Sequence, residues 1–239
     1  MNGKLIEGGI VLTKVIIAVI IGILEGNGAV YFFNKMPGTW LCDYGETPSD
    51  ELINPTTQRI KSSPWKYLFS MGFVILNIKL VMDDWQYAIA ASAVLLILLE
   101  LSLADKKYSI VPDQLVILLC ITAIGFIPFH GSWKAQLFGG LIGFGLMTAI
   151  ALVGKFAYKR ESIGGGDIKL FFALGLISGI KGILFIFAAT ALISAACFAY
   201  LLSKKRVKIT DSLPMVPYIS VAAALYLVFL WYINFSFLF

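Results

Sequence analysis

The chain has 239 residues, of which 59% are hydrophobic and only 14% are charged. A soluble domain carries about a quarter charged residues, so this composition excludes an ordinary soluble protein and predicts an integral membrane protein. The formal net charge is +5. Because the positive side chains cluster in alternate loops, we attribute this charge to membrane topology and contact with anionic lipids, and we expect no nucleic-acid partner.

Eight apolar segments are predicted in chain order, because a membrane span needs about 20 apolar residues. They cover about 9–25, 67–82, 86–104, 114–129, 136–153, 168–180, 182–202 and 216–238. The stretch 168–202 is too long for one span. A break near Lys181 is predicted from the glycines around it, Gly175, Gly179 and Gly182. The predicted fold class is an all-α integral membrane protein, a polytopic helical bundle of about eight transmembrane helices.

One predicted loop is long, at residues 26–66, and its four prolines indicate an irregular, partly ordered segment. Most lysines and arginines lie in this loop and in the alternate loops around 106–107, 155–169 and 204–208. The positive-inside rule therefore places these loops in the cytoplasm and both termini outside. Two regions are predicted: 1–85, with the first two spans and the cytoplasmic loop, and 86–239, the membrane core.

Acidic residues in or beside membrane spans are costly and usually have a reason. Asp105 ends the third predicted span and Asp167 begins the sixth, so both lie at the cytoplasmic boundary at the same depth. Two converging carboxylates can share a proton, so that one activates a water and the other polarises a peptide carbonyl. The alternative is that each merely caps or flanks a helix end. Asp113 is expected to cap the fourth span, and Glu100 could pair with a lysine near the cytoplasmic face.

Three glycines precede Asp167 in the stretch "ESIGGGDIKL", residues 161–170. Glycine allows positive φ and close backbone approach, so Gly164 and Gly166 would make room for an extended substrate strand beside Asp167. We expect alanine at either position to affect turnover more than folding, and Gly165 to tolerate it better. The alternative is a flexible connector before a helix.

These motifs resemble the type IV prepilin peptidases, aspartic membrane proteases with a GxGD motif. The resemblance lies in "GGGDIKLFFALG" (164–175), in "DKKYSIVPDQL" (105–115) and in the tail "LPMVPYISVAAAL" (213–225). It implies catalysis by Asp105 and Asp167, with Gly164, Gly166 and Lys169 on the substrate side. It also implies prepilin or pseudopilin substrates, contact with membrane lipids, and a multi-pass protein of the bacterial inner membrane whose active site faces the cytoplasm.

The N-terminal region resembles the family less closely. "GNGAVYFFNKMP" (26–37) is similar to the stretch that follows the family's first span, but "CDYG" replaces the first of two CxxC pairs. A zinc site with four thiolate ligands is therefore excluded. The other two cysteines, Cys120 and Cys197, fall inside predicted spans. We therefore expect no bound metal. Family members commonly methylate the new N-terminus with S-adenosylmethionine. The sequence leaves room for this activity, but it shows no site for the methyl donor.

The predicted function is a membrane-embedded aspartic endopeptidase that cleaves prepilin leader peptides at the cytoplasmic boundary. The main alternative is an ion- or proton-coupled transporter that uses the same two aspartates, which would require a gradient and polar residues deeper in the spans. A non-catalytic assembly scaffold of the same fold is the third hypothesis. Cleavage of a prepilin distinguishes all three.

Overall fold

The computed structural model describes residues 2–43, 45–54, 57–158, 163–208 and 213–232, with the backbone alone at residues 2–7. Within these ranges the chain is helical and contains no strand. The helices are α1 (Asn2–Lys35), α2 (Asp50–Ile53), α3 (Ser62–Asp83), α4 (Trp85–Tyr108), α5 (Asp113–Thr122), α6 (Ile127–His130), α7 (Trp133–Tyr158), α8 (Gly165–Ser203) and α9 (Val216–Leu225). Short 3-10 turns occupy Gly38–Trp40 and Ala123–Phe126, and a π-helical turn, Tyr226–Leu230, follows α9.

Among the described residues, six helices are long and apolar enough to cross a membrane, and Val216–Leu230 forms a shorter apolar helix. Large apolar side chains such as Leu12, Leu24 and Phe156 point outward, as expected where lipid is the solvent. The predicted fold class, an all-α polytopic membrane protein, is confirmed. The part of the eighth predicted span beyond Tyr232 lies outside the described residues.

The chain forms two compact units, Met1–Leu96 and Ile97–Phe239. In the N-terminal unit, α1 and α3 pack at close range because a Cβ on Gly22 or Gly26 would overlap the backbone of α3. Small residues let membrane helices approach in this way. Beside this contact, Glu25 accepts hydrogen bonds from Asn77 (2.6 Å) and from the hydroxyl of Ser92. A polar cluster therefore links α1, α3 and the start of α4.

The prediction of an irregular loop over residues 26–66 is wrong at both ends, because α1 continues as a helix to Lys35 and α3 begins at Ser62. Its end is held by a distant side chain: Arg59 donates to the carbonyl oxygens of Phe33 (2.9 Å) and Met36, which would otherwise lack partners at a helix terminus. Asn34 forms a reciprocal pair of hydrogen bonds with the backbone of Ile60, at 2.9 and 3.0 Å. The connection between α1 and α3 is therefore shorter than predicted, and its last residues are fastened to α1.

In the C-terminal unit, α8 is interrupted at Gly179, whose φ of 67° and ψ of −172° are not helical. The rings of Phe171 and Phe187 contact each other edge to face at 6.2 Å between centroids. Sixteen residues of continuous helix would separate them by about 24 Å. Residues 165–178 and 180–203 therefore fold back on each other, which confirms the predicted break into two helices and puts it two residues before Lys181.

Two contacts stabilise this reversal. His130, at the end of α6, lies against Gly179, and its Nε2 is 2.7 Å from the carbonyl oxygen of Ile177, a backbone group beside the break. On α7, Gly139 packs so closely against Gly175 that a Cβ on either would overlap the backbone of the other. Close packing of α7 on residues 165–178 thus depends on glycine on both helices.

Candidate active site

Asp105 lies in the last turn of α4 and is almost fully buried, with 7% of its surface exposed. Its Oδ2 accepts a hydrogen bond of 2.9 Å from the backbone N–H of Val216, the first residue of α9. The first N–H groups of a helix have no partner within that helix. The Asp105 carboxylate is the hydrogen-bond partner of one such N–H group in α9. This hydrogen bond holds the Asp105 side chain in place and stabilises the first turn of α9.

Asp167 lies in the first turn of α8, three residues after the N-cap residue Gly164. Its backbone N–H donates to the carbonyl oxygen of Gly164 (3.1 Å), and the backbone of Gly164 faces its carboxylate. The positive end of the helix dipole favours a carboxylate at this position. Asp167 is half-buried, so water can reach it.

The structure brings the two predicted catalytic carboxylates together within the C-terminal unit. Asp105 and Asp167 are close enough for their negative charges to act on each other. Two adjacent carboxylates cannot both ionise easily, so such a pair tends to share one proton and titrates as a unit. The geometry therefore offers one group that can accept a proton beside one that can donate it.

Two contacts hold the start of α8 against the segment that follows Asp105. A Cβ on Gly166 would lie 2.6 Å from Cβ and 2.8 Å from Cγ2 of Val111, so only glycine allows this approach. Lys169 donates to both carboxylate oxygens of Asp113, each at 2.9 Å. This ion pair is half-exposed, and such pairs contribute at most about 1 kcal/mol, so the steric fit at Gly166 is the stronger constraint.

The structure changes the interpretation of the three predicted substrate-side residues. The positive φ expected of the glycine loop is not found, since Gly164 has a φ of −69° and neither Gly165 nor Gly166 is in the left-handed region. Gly166 makes room for Val111 of the protein itself, so we now expect alanine at this position to lower stability as well as turnover. Lys169 is engaged with Asp113, and its role toward substrate stays a prediction.

Sequence reasoning missed several contributors to the site. Val216 acts through its backbone N–H and Val111 through a close approach, and neither role depends on a recognisable side chain. Asp113 was expected to cap α5. The N-cap residue is instead Pro112, and Asp113 is the first helical residue, whose side chain accepts a hydrogen bond from Lys169. This pairing depends on the tertiary contact between the starts of α5 and α8, which the sequence pattern does not indicate.

The sequence left open that Glu100 could pair with a lysine, and no such pair is found among the described residues. The residue is 4% exposed, and neither carboxylate oxygen has a hydrogen-bond partner among the described residues. A buried carboxyl without partners is costly to ionise. Glu100 therefore differs from Asp105, which is also buried but accepts a backbone hydrogen bond.

The described residues contain no group of three or more histidine, cysteine or acidic side chains placed to hold a metal ion. The thiol of Cys42 lies 3.6 Å from the carbonyl oxygen of Thr39 and 3.8 Å from that of Glu46. The expected lack of a zinc requirement stays a prediction.

A comparison with protein-family models matches residues 92–199, which contain both carboxylates, to the type IV leader peptidase family. The chain is therefore similar to this family over residues 92–199. The leader peptidase segment begins inside α4 and ends near the C-terminus of α8, so it includes the Gly179 reversal but not Val216 of α9.

Curated relatives extend the similarity beyond the leader peptidase segment. The chain is similar to three proteins named prepilin leader peptidase/N-methyltransferase. The protein from Xanthomonas campestris is 26% identical over 72% of this chain and 62% of its own length. The proteins from Bacillus subtilis and Pseudomonas aeruginosa are 29% and 28% identical, over 54% and 62% of this chain and over 51% and 50% of their own lengths. The matches thus span only half to three fifths of the relatives' own length. No solved structure gives a significant match to this chain.

Proposed function

We propose that this protein is an aspartic endopeptidase that removes the leader peptide from type IV prepilins or pseudopilins at the cytoplasmic boundary of the bacterial inner membrane. The observation that carries the proposal is the approach of Asp105 and Asp167, at the end of α4 and the start of α8. The match of residues 92–199 to the type IV leader peptidase family supports the choice of substrate.

The proposed reaction uses the carboxylate pair as base and acid. The ionised carboxylate takes a proton from a water, whose oxygen attacks the scissile carbonyl carbon, while the protonated carboxyl gives its proton to the carbonyl oxygen. When the tetrahedral intermediate collapses, its C–N bond breaks, the first group protonates the leaving nitrogen, and the second group takes a proton back from a hydroxyl of the intermediate. The products are the leader with a new carboxylate and the mature chain with a free amino terminus.

The position of the pair suits a substrate with a polar leader and an apolar helix. In the predicted topology, α4 ends and α8 begins at the cytoplasmic boundary, where a leader would remain in water while the helix enters the bilayer. Hydrolysis needs water, and a half-buried Asp167 at this depth has access to it. A pair deep within the bilayer would need a separate water path.

The test is co-expression of the full chain with a prepilin. Asp105→Asn and Asp167→Asn should each reduce cleavage by at least a hundredfold, because loss of one general acid or base costs about 10²–10⁴-fold and both roles are needed. Asp83→Asn is the matched control, since Asp83 pairs with Lys79 in the N-terminal unit and should leave cleavage unchanged. Near-parental turnover by either dyad variant, at equal membrane expression, would refute the proposal.

Coupled transport remains the second hypothesis because the spans hold more polar groups than the sequence indicated. Glu25, Asn77 and Ser92 form a hydrogen-bonded cluster within predicted spans, and Glu100 is buried. A transporter would need an ion gradient. Cleavage of a prepilin by the purified protein in detergent, where no gradient exists, would exclude this hypothesis as the explanation of the carboxylate pair.

Methylation of the new N-terminus is suggested by the names of the relatives. The methyl donor S-adenosylmethionine carries a cationic sulfonium, which is poorly matched by a lysine-lined surface. The cavity at the end of α1 presents two lysines, Lys35 and Lys66, and therefore does not fit the donor. We assign no donor site and derive no methylation step.

A further inference from the structure

A cavity of about 370 Å³ opens between the end of α1 and the start of α3, entirely within the N-terminal unit. Its lining includes Lys35, Lys66, Gln58 and Ser62. The volume lies within the range of small-ligand sites. In the predicted topology this end of α1 faces the cytoplasm.

The cavity carries positive charge that its own lining does not balance. Lys35 and Lys66 both contribute side chains, and the lining includes no aspartate or glutamate. The first turn of α3 also lacks an acidic residue. Within the described residues neither lysine forms an ion pair, and the ammonium of Lys66 lies 4.8 Å over the ring of Tyr67. Two cations facing one cavity repel each other, and an anion between them would relieve this repulsion.

Neutral hydrogen-bond donors are also available in the lining. Gln58 and Ser62 form no side-chain hydrogen bond within the described part of the chain. Asn34 also lines the cavity, but its side-chain amide donates to the carbonyl oxygens of Val30 (2.9 Å) and Ile60 (3.0 Å). Asn34 thus fixes the wall, and the lysines, the amide of Gln58 and the hydroxyl of Ser62 are left for a ligand.

We propose that this cavity binds a phosphate group, supplied either by the headgroup of an anionic phospholipid or by a soluble phosphate. Lysine ammonium groups bind phosphate as point charges, and several donors around a cavity suit a tetrahedral anion with oxygens on all sides. Basic pockets between membrane helices on the cytoplasmic side are typical of lipid headgroup sites. The lining includes neither Asp105 nor Asp167, and the proposal does not depend on the proposed peptidase activity.

The test titrates the purified full-length chain in detergent with three probes: short-chain phosphatidylglycerol, the matching diacylglycerol without phosphate, and inorganic phosphate. Binding is measured as a saturable shift in melting temperature. We expect phosphatidylglycerol to bind and diacylglycerol not to bind. Inorganic phosphate acting at a similar concentration would identify a soluble ligand, whereas no response to it would identify the lipid.

The variants assign binding to the cavity. Lys35→Gln and Lys66→Gln should each weaken binding about fivefold and the double variant about twenty-five-fold, since one basic residue near anionic lipid contributes about 1 kcal/mol. Lys66→Arg should retain it. Lys61→Gln is the matched control, because Lys61 is an exposed lysine that immediately precedes α3 and lies outside the lining. Equal binding by the parent and the double variant, an equal loss in Lys61→Gln, or no response beyond diacylglycerol would each overturn the proposal.

Discussion

Replacement of Gly166 by alanine tests how the two carboxylates are brought together. The new Cβ would lie 2.6 Å from Cβ of Val111, whereas carbon atoms in contact prefer about 3.5–4.0 Å. The segment carrying Val111 must therefore move by about 1 Å away from α8. Overpacking of this kind costs about 1–3 kcal/mol, and a misplacement of about 1 Å near reacting groups can reduce turnover about a hundredfold.

Gly165→Ala is the matched control for this substitution. Both glycines lie in the first turn of α8, but a Cβ on Gly165 meets no atom within 4 Å. Both variants gain the same helix propensity of up to about 1 kcal/mol, so the difference between them isolates the contact with Val111. Gly164→Ala should also be mild in stability, because its Cβ would make only an ordinary contact, at 3.8 Å, with Oδ2 of Asp167.

The assay combines unfolding in detergent with prepilin cleavage on the same preparations. Gly166→Ala should be less stable than Gly165→Ala by about 1–3 kcal/mol and should lose most of its turnover. Val111→Gly in the Gly166→Ala background should restore both, because it removes the atoms that overlap. Equal stability and equal turnover of the two alanine variants would refute the reasoning.

Two further predictions concern other buried or capping carboxylates. Asp84→Ala should lower the free energy of unfolding by about 1 kcal/mol, because Oδ1 of Asp84 accepts the N–H groups of Gln86 and Tyr87 at 2.8 Å; Asp84→Asn should keep the cap, and equal stability of the two variants would contradict this role. Glu100→Gln should leave the free energy of unfolding unchanged or raise it, since Glu100 has no hydrogen-bond partner to lose among the described residues. A loss of about 3–5 kcal/mol, typical of a broken buried ion pair, would contradict this prediction.

The helix content and the break in α8 could be predicted because they depend on local sequence. Apolar length indicates spans, and three glycines within eight residues indicate a place where a helix can reverse. The length of α1 could not be predicted in this way. The four prolines of residues 26–66 suggested that the loop begins at Gly26, but Gly26 packs against Ser70 of α3, and Arg59 holds the end of α1 from the far side of the connection. Both reasons are tertiary contacts.

The candidate site also combines features that the sequence predicts with features that depend on tertiary contacts. The shared depth of Asp105 and Asp167 follows from the order and length of the spans, so their approach could be anticipated. The contacts that hold them there could not, because a backbone N–H of Val216 and the missing side chain of Gly166 leave no pattern of residue types. The pairing of Asp113 with Lys169 likewise depends on how α5 and α8 meet.

The reversal at Gly179 determines on which side of the membrane the chain leaves α8. As a straight rod, the 39 residues of α8 would extend about 58 Å, nearly twice the thickness of the hydrocarbon core, and the chain would leave on the side opposite to its entry. Folded back, it returns to the entry side, where α9 starts and Val216 reaches Asp105. One left-handed glycine therefore determines whether the last helix meets the carboxylate pair or lies across the bilayer from it.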